Sequence, residues 1–337
     1  MEPLRAPMPY FGGKRAVAAE VWARFGAVKN YVEPFFGSGA VLLARPTLDA
    51  NAIESVNDAD GLLCNFWRAI RSSPDAVAEA VDWPVSEADL HSRHAVLVER
   101  RADLTERLMG DPEFCDPKLA GWWAFGACSW IGTGWCSGKG PWVRRDGRLV
   151  LDDASKLPHL GDAGRGINRK LPHLGDTGRG INRQLPHLGG TNRGTGVNKN
   201  DANALEWFAA LSARLRRVRI ACGDWSRVCG PSVTWRHGLT AVFLDPPYAA
   251  GNVEYAVASS PAEAARAWAL EQGVRPDMRI ALCGHDGEHA MPGWTVFRWT
   301  ARGGYGNQGG EADADNRHME TIWFSPACLG WQGELWK

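Results

Sequence analysis

Asp245-Pro246-Pro247-Tyr248 follows an apolar run and combines residue types that suit one task. Two successive prolines fix the backbone and remove two N–H donors, but their carbonyls remain as acceptors. With the Asp carboxylate added, the segment aims acceptors at a donor such as an amino group. The Tyr ring supplies a flat face on which a base can stack. Together they suit holding a planar amine. Taken alone, the same four residues also read as a turn that ends a strand.

Three further segments could serve a ligand. Glu33-Pro34-Phe35-Phe36-Gly37-Ser38-Gly39 carries two glycines that let backbone approach a bound molecule closely. It is not the dinucleotide fingerprint, because Leu42 stands where a third glycine is needed. In Asn57-Asp58, the acid can accept hydrogen bonds from a ribose diol, or cap the helix that follows. Tyr10-Phe11-Gly12-Gly13-Lys14 lacks the spacing of a phosphate loop, and Arg15 stands where Ser or Thr is required. Lys14 could pair with a ligand carboxylate; by itself it reads as a surface lysine.

The elements that must position these residues follow from periodicity. Apolar spacing predicts a helix over 15–25, with Val17, Val21, Trp22 and Phe25 on one side. Strands are expected at 31–33 and 53–56, and helices at 40–44 and 61–70, the latter ended by Ser72-Ser73-Pro74. This β-α-β-α opening favours a parallel α/β sheet. After the middle of the chain the same character returns. A helix is expected at 204–216, a strand at 218–221 leading to Gly223-Asp224, and a buried strand at 240–244. A helix at 262–271 and strands at 279–283, 294–300 and 319–324 complete the pattern.

Between these halves the pattern changes. Ser86-Glu87-Ala88-Asp89 resembles a capping box opening a long helix to about Leu108. Asp116-Pro117 reads as N-cap and N1 of another helix, running to about Ile131. A Gly- and Trp-rich loop is expected over 132–147. Residues 156–169 then read KLPHLGDAGRGINR, 170–183 read KLPHLGDTGRGINR, and a third copy decays after Gln184. Proline and glycine in each copy favour loop. Residues 156–199 hold eight Lys or Arg against two Asp, a net +6 inside a chain with zero formal net charge. Arg165, Arg169, Lys170, Arg179, Arg183 and Arg193 form a basic strip suited to phosphate contacts, with some arginines able to reach guanine edges. A solvated loop with no contact role is the alternative. His159, His173 and His187 recur once per copy, but no cysteine partners them at ligand spacing, so no metal is expected.

Bulk composition narrows the class. Across 337 residues, 45% are hydrophobic and 23% charged, which is ordinary for a chain that buries a core. Zero net charge excludes a protein that is basic overall, leaving only local basic patches. Eight scattered cysteines without a CxxC pair argue against a disulfide framework or a structural zinc site. With neither a signal peptide nor an 18-residue apolar run in sight, a cytoplasmic protein without membrane association is expected. The 17 tryptophans suit cores, interfaces and base stacking alike.

Taken in order, Tyr10 to Lys14, Glu33 to Gly39, Asn57-Asp58, Gly223-Asp224 and Asp245 to Tyr248 resemble the adenine-N6 DNA methyltransferases of the Dam-like class. The tail, Gly303-Gly304-Tyr305-Gly306-Asn307-Gln308 with Glu320 to Pro326, is similar to phage-borne members. The resemblance covers about two-thirds of the chain. It implies a Rossmann-like, mixed α/β sheet at 1–84 and 200–337. An inserted, mostly helical and loop-rich target-recognition region at 85–199 would include the repeats at 156–198. It also implies methyl transfer from S-adenosylmethionine to adenine N6 in double-stranded DNA after base flipping. Tyr10 and Lys14 would contact the methionine part of the cofactor. Glu33, Pro34, Phe35, Gly37 and Gly39 would cradle it, Asp58 would hold the ribose, and Asp224 would accept from its adenine. Asp245 and the Pro246 carbonyl would accept the target amine, Pro247 would stiffen the segment, and Tyr248 would stack on the base. Many relatives carry an Asn-rich loop where this chain has WWAFGACSWIGTGW at 122–135, so the recognition sequence stays open. A cognate restriction nuclease is a compatible partner. Cytosine N4 or RNA adenine as target, or an inactive DNA-binding relative, are the alternatives.

Overall fold

The structure is a computed structural model that describes residues 4–8, 14–46, 50–83, 86–130, 135–137, 142–145, 148–151, 202–247, 260–300 and 319–330. Seven strands form one sheet in the order β5-β2-β1-β6-β7-β9-β8. These are β1 (Asn30–Glu33), β2 (Ile53–Asp58), β5 (Val218–Cys222), β6 (Thr240–Leu244), β7 (Met278–His285), β8 (Thr295–Thr300) and β9 (Met319–Phe324). The first five run parallel, whereas β9 is antiparallel to both β7 and β8. Strand β6 lies at the centre and is buried along its whole length, as a strand covered on both faces must be. The chain runs outward from β1 to β2 and β5, then returns to β6 on the other side of β1. The switch in direction therefore falls between β1 and β6. Ligands of open α/β sheets sit beyond the strand ends at such a point.

Helices follow from local chemistry. A short 3₁₀ turn at Lys14–Ala16 leads into α1 (Ala18–Phe25), where one helix over 15–25 was expected. Helix α2 spans Ala40–Leu43. Helix α3 (Gly61–Ser72) starts where the Asp60 carboxylate accepts from Leu62 N at 3.0 Å. Pro74 does not simply end the helical segment. It takes the first position of a further helix, α4 (Pro74–Val81), where its missing N–H costs nothing. Helix α5 spans Glu87–Gly110, but the Ser86 hydroxyl makes no capping bond, so the expected box is not formed. Helix α6 (Pro117–Ser129) has the expected Asp116 cap, accepting from Leu119 N at 2.9 Å, and ends two residues early. The expected loop over 132–147 instead includes a strand, β3 (Trp142–Arg145), which pairs antiparallel with β4 (Arg148–Leu151) just beyond it. Helix α7 spans Ala202–Leu215, and α8 spans Pro261–Gln272 behind a complete Ser260–Glu263 capping box.

Helices α5 and α6 share the main core with α3, α4 and the sheet, through Leu97, Leu104, Leu108, Ala120, Trp123 and Ala124. Trp123 packs on Phe66, and Trp130 stacks on His94 at 5.0 Å, so both rings serve packing. After residue 201 the chain is tied back to the sheet by Arg214, which grips Glu54 of β2 through both oxygens at 2.7 and 2.8 Å. All eight cysteines are free. Among the described residues no helix is long and apolar enough to cross a membrane.

Candidate active site

Three loops leave the carboxyl ends of β1, β2 and β5 and are stitched together. Asn57 donates to Pro34 O at 3.1 Å and to Gly223 O at 3.0 Å. Phe36 N donates to Asn57 O, and Gly223 N to Asp58 O, each at 2.9 Å. Residues Asn57 and Asp58 thus belong to β2 rather than following it. The Asp58 carboxylate accepts from Gly37 N at 3.0 Å and from Asp60 N at 2.9 Å. Burial raises its pKa, and the backbone donors partly oppose that rise. It does not cap α3; Asp60 does. A carboxylate has about four lone-pair sites, so both of its backbone bonds leave acceptor capacity for a ligand diol.

Glycine is required in the β1 loop. Gly37 and Gly39 have φ of 49° and 64°, left-handed values that disfavour side chains. A Cβ on Gly39 would also lie 2.7 Å from the Phe36 ring. The loop carbonyl at Gly37 accepts from Trp67 Nε1 at 3.0 Å. Phe35 stacks on Trp225 with centroids 5.9 Å apart, which builds an aromatic wall next to Asp224. Asp224 is exposed and caps a short 3₁₀ turn by accepting from Ser226 N at 2.9 Å. The Asn57 Oδ1 atom is buried without a hydrogen-bond partner. Glu33 is fully buried and accepts from Tyr31 OH at 2.8 Å; burial pushes its pKa well above the carboxylate range, against the Tyr31 bond.

Across the switch point, Asp245 leaves the end of β6 with Pro246 buried behind it. Lys14 is not a surface lysine: it is 5% exposed. Its ammonium lies 3.1 Å from Asp245 Oδ1 and 2.9 Å from Glu320 Oε2. Burial opposes that charge, but the Asp245 and Glu320 carboxylates more than offset it, so the pKa rises above the ordinary lysine value. The structure therefore gives Lys14 two protein carboxylates, and contact with a cofactor carboxylate would require trading one of them. Glu320 enters from β9, opposite His285 of β7.

The structure thus brings together Glu33, Pro34, Phe35, Gly37, Gly39, Asp58 and Asp224 on one side, and Lys14 with Asp245 on the other. Tyr10, Tyr248 and the strip Arg165, Arg169, Lys170, Arg179, Arg183 and Arg193 lie outside the described residues, as do His159, His173 and His187. Among the described residues no group of three or more His, Cys, Asp and Glu is placed to hold a metal ion. Sequence reasoning gave Glu320 and Trp225 no role. Glu320 entered only as part of the tail 320–326, and neither residue's contacts could be read locally, because their partners come from distant strands and loops.

Residues 10–106 match the family model of the D12 class N6 adenine-specific DNA methyltransferases. Over that stretch, which is less than half of its length, the chain is similar to that class. The matched stretch takes in Lys14, the β1 loop and Asp58, and ends within α5. The sheet described above agrees with a Rossmann-like methyltransferase. Its reaction is transfer of a methyl group to adenine N6 in DNA. No curated protein sequence matches the chain.

Proposed function

We propose that this D12-class enzyme uses S-adenosylmethionine as methyl donor, bound over the loops after β1, β2 and β5, and that Asp245 with the Pro246 carbonyl receives the target amine. One observation carries the reading. At the switch point, Asp245 already holds a nitrogen donor, the Lys14 ammonium, at 3.1 Å. The same carboxylate can accept an amino hydrogen. The donor side fits the cofactor on its own terms: left-handed glycines at 37 and 39, an unpartnered buried Asn57 Oδ1, and an Asp58 carboxylate with spare acceptor capacity.

The chemistry follows from the target. The lone pair of an adenine amine is delocalised into the ring, so the nitrogen is a weak nucleophile. Acceptors on its two hydrogens draw it toward tetrahedral geometry and localise the lone pair. The Asp245 charge also stabilises the positive charge that develops on nitrogen, a preorganised effect that costs no reorganisation. Bound S-adenosylmethionine would supply a methyl group already activated by a positive sulfur. The β1 loop and Asp58 would hold that donor beside the amine, and the nitrogen, once methylated, would pass its extra proton to the Asp245 carboxylate that already accepts from it. Positioning supplies much of the remaining acceleration. The base must leave the duplex at a cost of a few kcal/mol. Stacking on Tyr248 would return roughly 1–3 kcal/mol of it.

We assign DNA reading to segment 85–199. The net +6 over 156–199 supports this, because phosphate neutralisation supplies much of DNA affinity.

Calorimetry of S-adenosylmethionine binding to the wild type, Asp58→Ala and Asp245→Ala tests the reading. Asp58→Ala should weaken binding about tenfold or more. Asp245→Ala should bind the cofactor and fail to methylate DNA. Unchanged affinity in Asp58→Ala, or methylation by Asp245→Ala, would overturn it.

A further inference from the structure

Lys14 sits between two carboxylates, and only one of them belongs to the segment that receives the target amine. The other, Glu320, lies at the start of β9, is 8% exposed, and donates nothing to the reaction directly. Its effect is on charge. Methyl transfer places positive charge on the adenine nitrogen next to Asp245. A lysine ammonium against the same carboxylate works against that charge and occupies an acceptor the amine needs. With Glu320 present, one cation faces two anions and the cluster stays net negative. Without it, Lys14 and Asp245 cancel each other.

We propose that Glu320 is a positioning residue for methyl transfer: it holds the Lys14 ammonium so that Asp245 can release the lysine and take the adenine amine. The proposal rests on the assignment of Asp245 above. Because Glu320 approaches Lys14 from a different strand at 2.9 Å, the ammonium keeps a charged partner while Asp245 changes partners. Retaining a buried carboxylate partner offsets part of the penalty of keeping a cation out of water. Among the described residues, the groups that face Lys14 include Asp245, Glu320 and the Cys283 thiol of β7, with Glu33 of β1 behind Asp245. Burial keeps the thiol protonated, pushing its pKa well up.

The test uses the full chain, labelled S-adenosylmethionine and unmethylated duplex DNA of mixed sequence under single-turnover conditions. Glu320→Gln should slow methyl transfer on the order of tenfold, less than the hundredfold or more expected for losing a group that touches the charge directly. Cofactor affinity by calorimetry should stay within about threefold. The pH profile carries the distinctive signature. In Glu320→Gln the Lys14 ammonium loses one carboxylate but keeps its burial, so it deprotonates at lower pH and frees Asp245. The rate should climb with pH across a range where the wild type is flat. If Glu320→Gln fails to fold, Glu320→Asp decides: its shorter carboxylate reaches Lys14 less closely, so the rate should fall by a few-fold with cofactor affinity unchanged, and a wild-type rate overturns the proposal. A wild-type rate in Glu320→Gln, or a rate that stays flat with pH in that variant, overturns the proposal. Loss of the Asp245 assignment reads differently: Asp245→Ala itself would still methylate adenine.

Discussion

Replacing Gly39 with alanine should damage cofactor binding through a chain of contacts that the structure makes explicit. Gly39 sits at φ 64° and ψ 21°, and an alanine held there loses about 1–2 kcal/mol to backbone sterics. The added Cβ would lie 2.7 and 2.8 Å from two atoms of the Phe36 ring. That ring is 3% exposed and packed on Trp67 at 5.3 Å, so it cannot swing away, and overpacking of this kind costs about 1–3 kcal/mol. The total is roughly 2–5 kcal/mol of stability. Trp67 in turn holds the Gly37 carbonyl, so displacement of Phe36 shifts the backbone proposed to face the cofactor. A loss of about 1.4 kcal/mol there means tenfold weaker S-adenosylmethionine binding. Denaturant unfolding reads the first quantity and calorimetry the second. Gly238→Ala is the control. It also has positive φ, but nothing lies within 4 Å of its Cβ, and it precedes β6 at the opposite end of the strand from Asp245. It should lose stability and keep affinity. Equal loss of affinity in both variants, or none in Gly39→Ala, would refute the reasoning.

Three more outcomes are expected. Burial raises the Glu33 pKa well above 4.5, so the folded state prefers the protonated acid. Stability present below that ordinary value is then lost as pH rises through the folded value, and Glu33→Gln should flatten this alkaline loss in unfolding titrations. Gly121→Ala should cost about 1–3 kcal/mol in denaturant unfolding, because its Cβ would meet Ala80 Cβ at 2.4 Å where α6 crosses α4. Deleting one repeat copy, residues 170–183, should weaken DNA binding and reduce its salt dependence while cofactor affinity holds; unchanged DNA affinity would remove the strip from the interface.

What local pattern could reveal and what it could not divide along physical lines. The buried run 240–244 ending in Asp245 was legible because a central parallel strand must be apolar throughout, and its polar end then marks the ligand side. The places of the β1 loop and Asp58 near strand ends were legible from the β-α-β-α alternation that opens the chain. Helix α4 was hidden because Pro74 signals a stop as strongly as it signals a first helical position. The Ser86 box was misleading because the motif requires only residue types, whereas the bond requires geometry. The burial of Lys14 was invisible: its Glu320 partner lies 306 residues away, and only the antiparallel pairing of β9 with β7 brings them together.

The most direct measurement incubates the purified protein with methyl-labelled S-adenosylmethionine and unmethylated duplex DNA, digests the DNA to nucleosides and identifies the labelled species. Label in N6-methyladenosine that disappears in Asp245→Ala is the expected result. Label in any other nucleoside, or label in N6-methyladenosine that persists in Asp245→Ala, would contradict the assignment of Asp245 as the acceptor of the target amine.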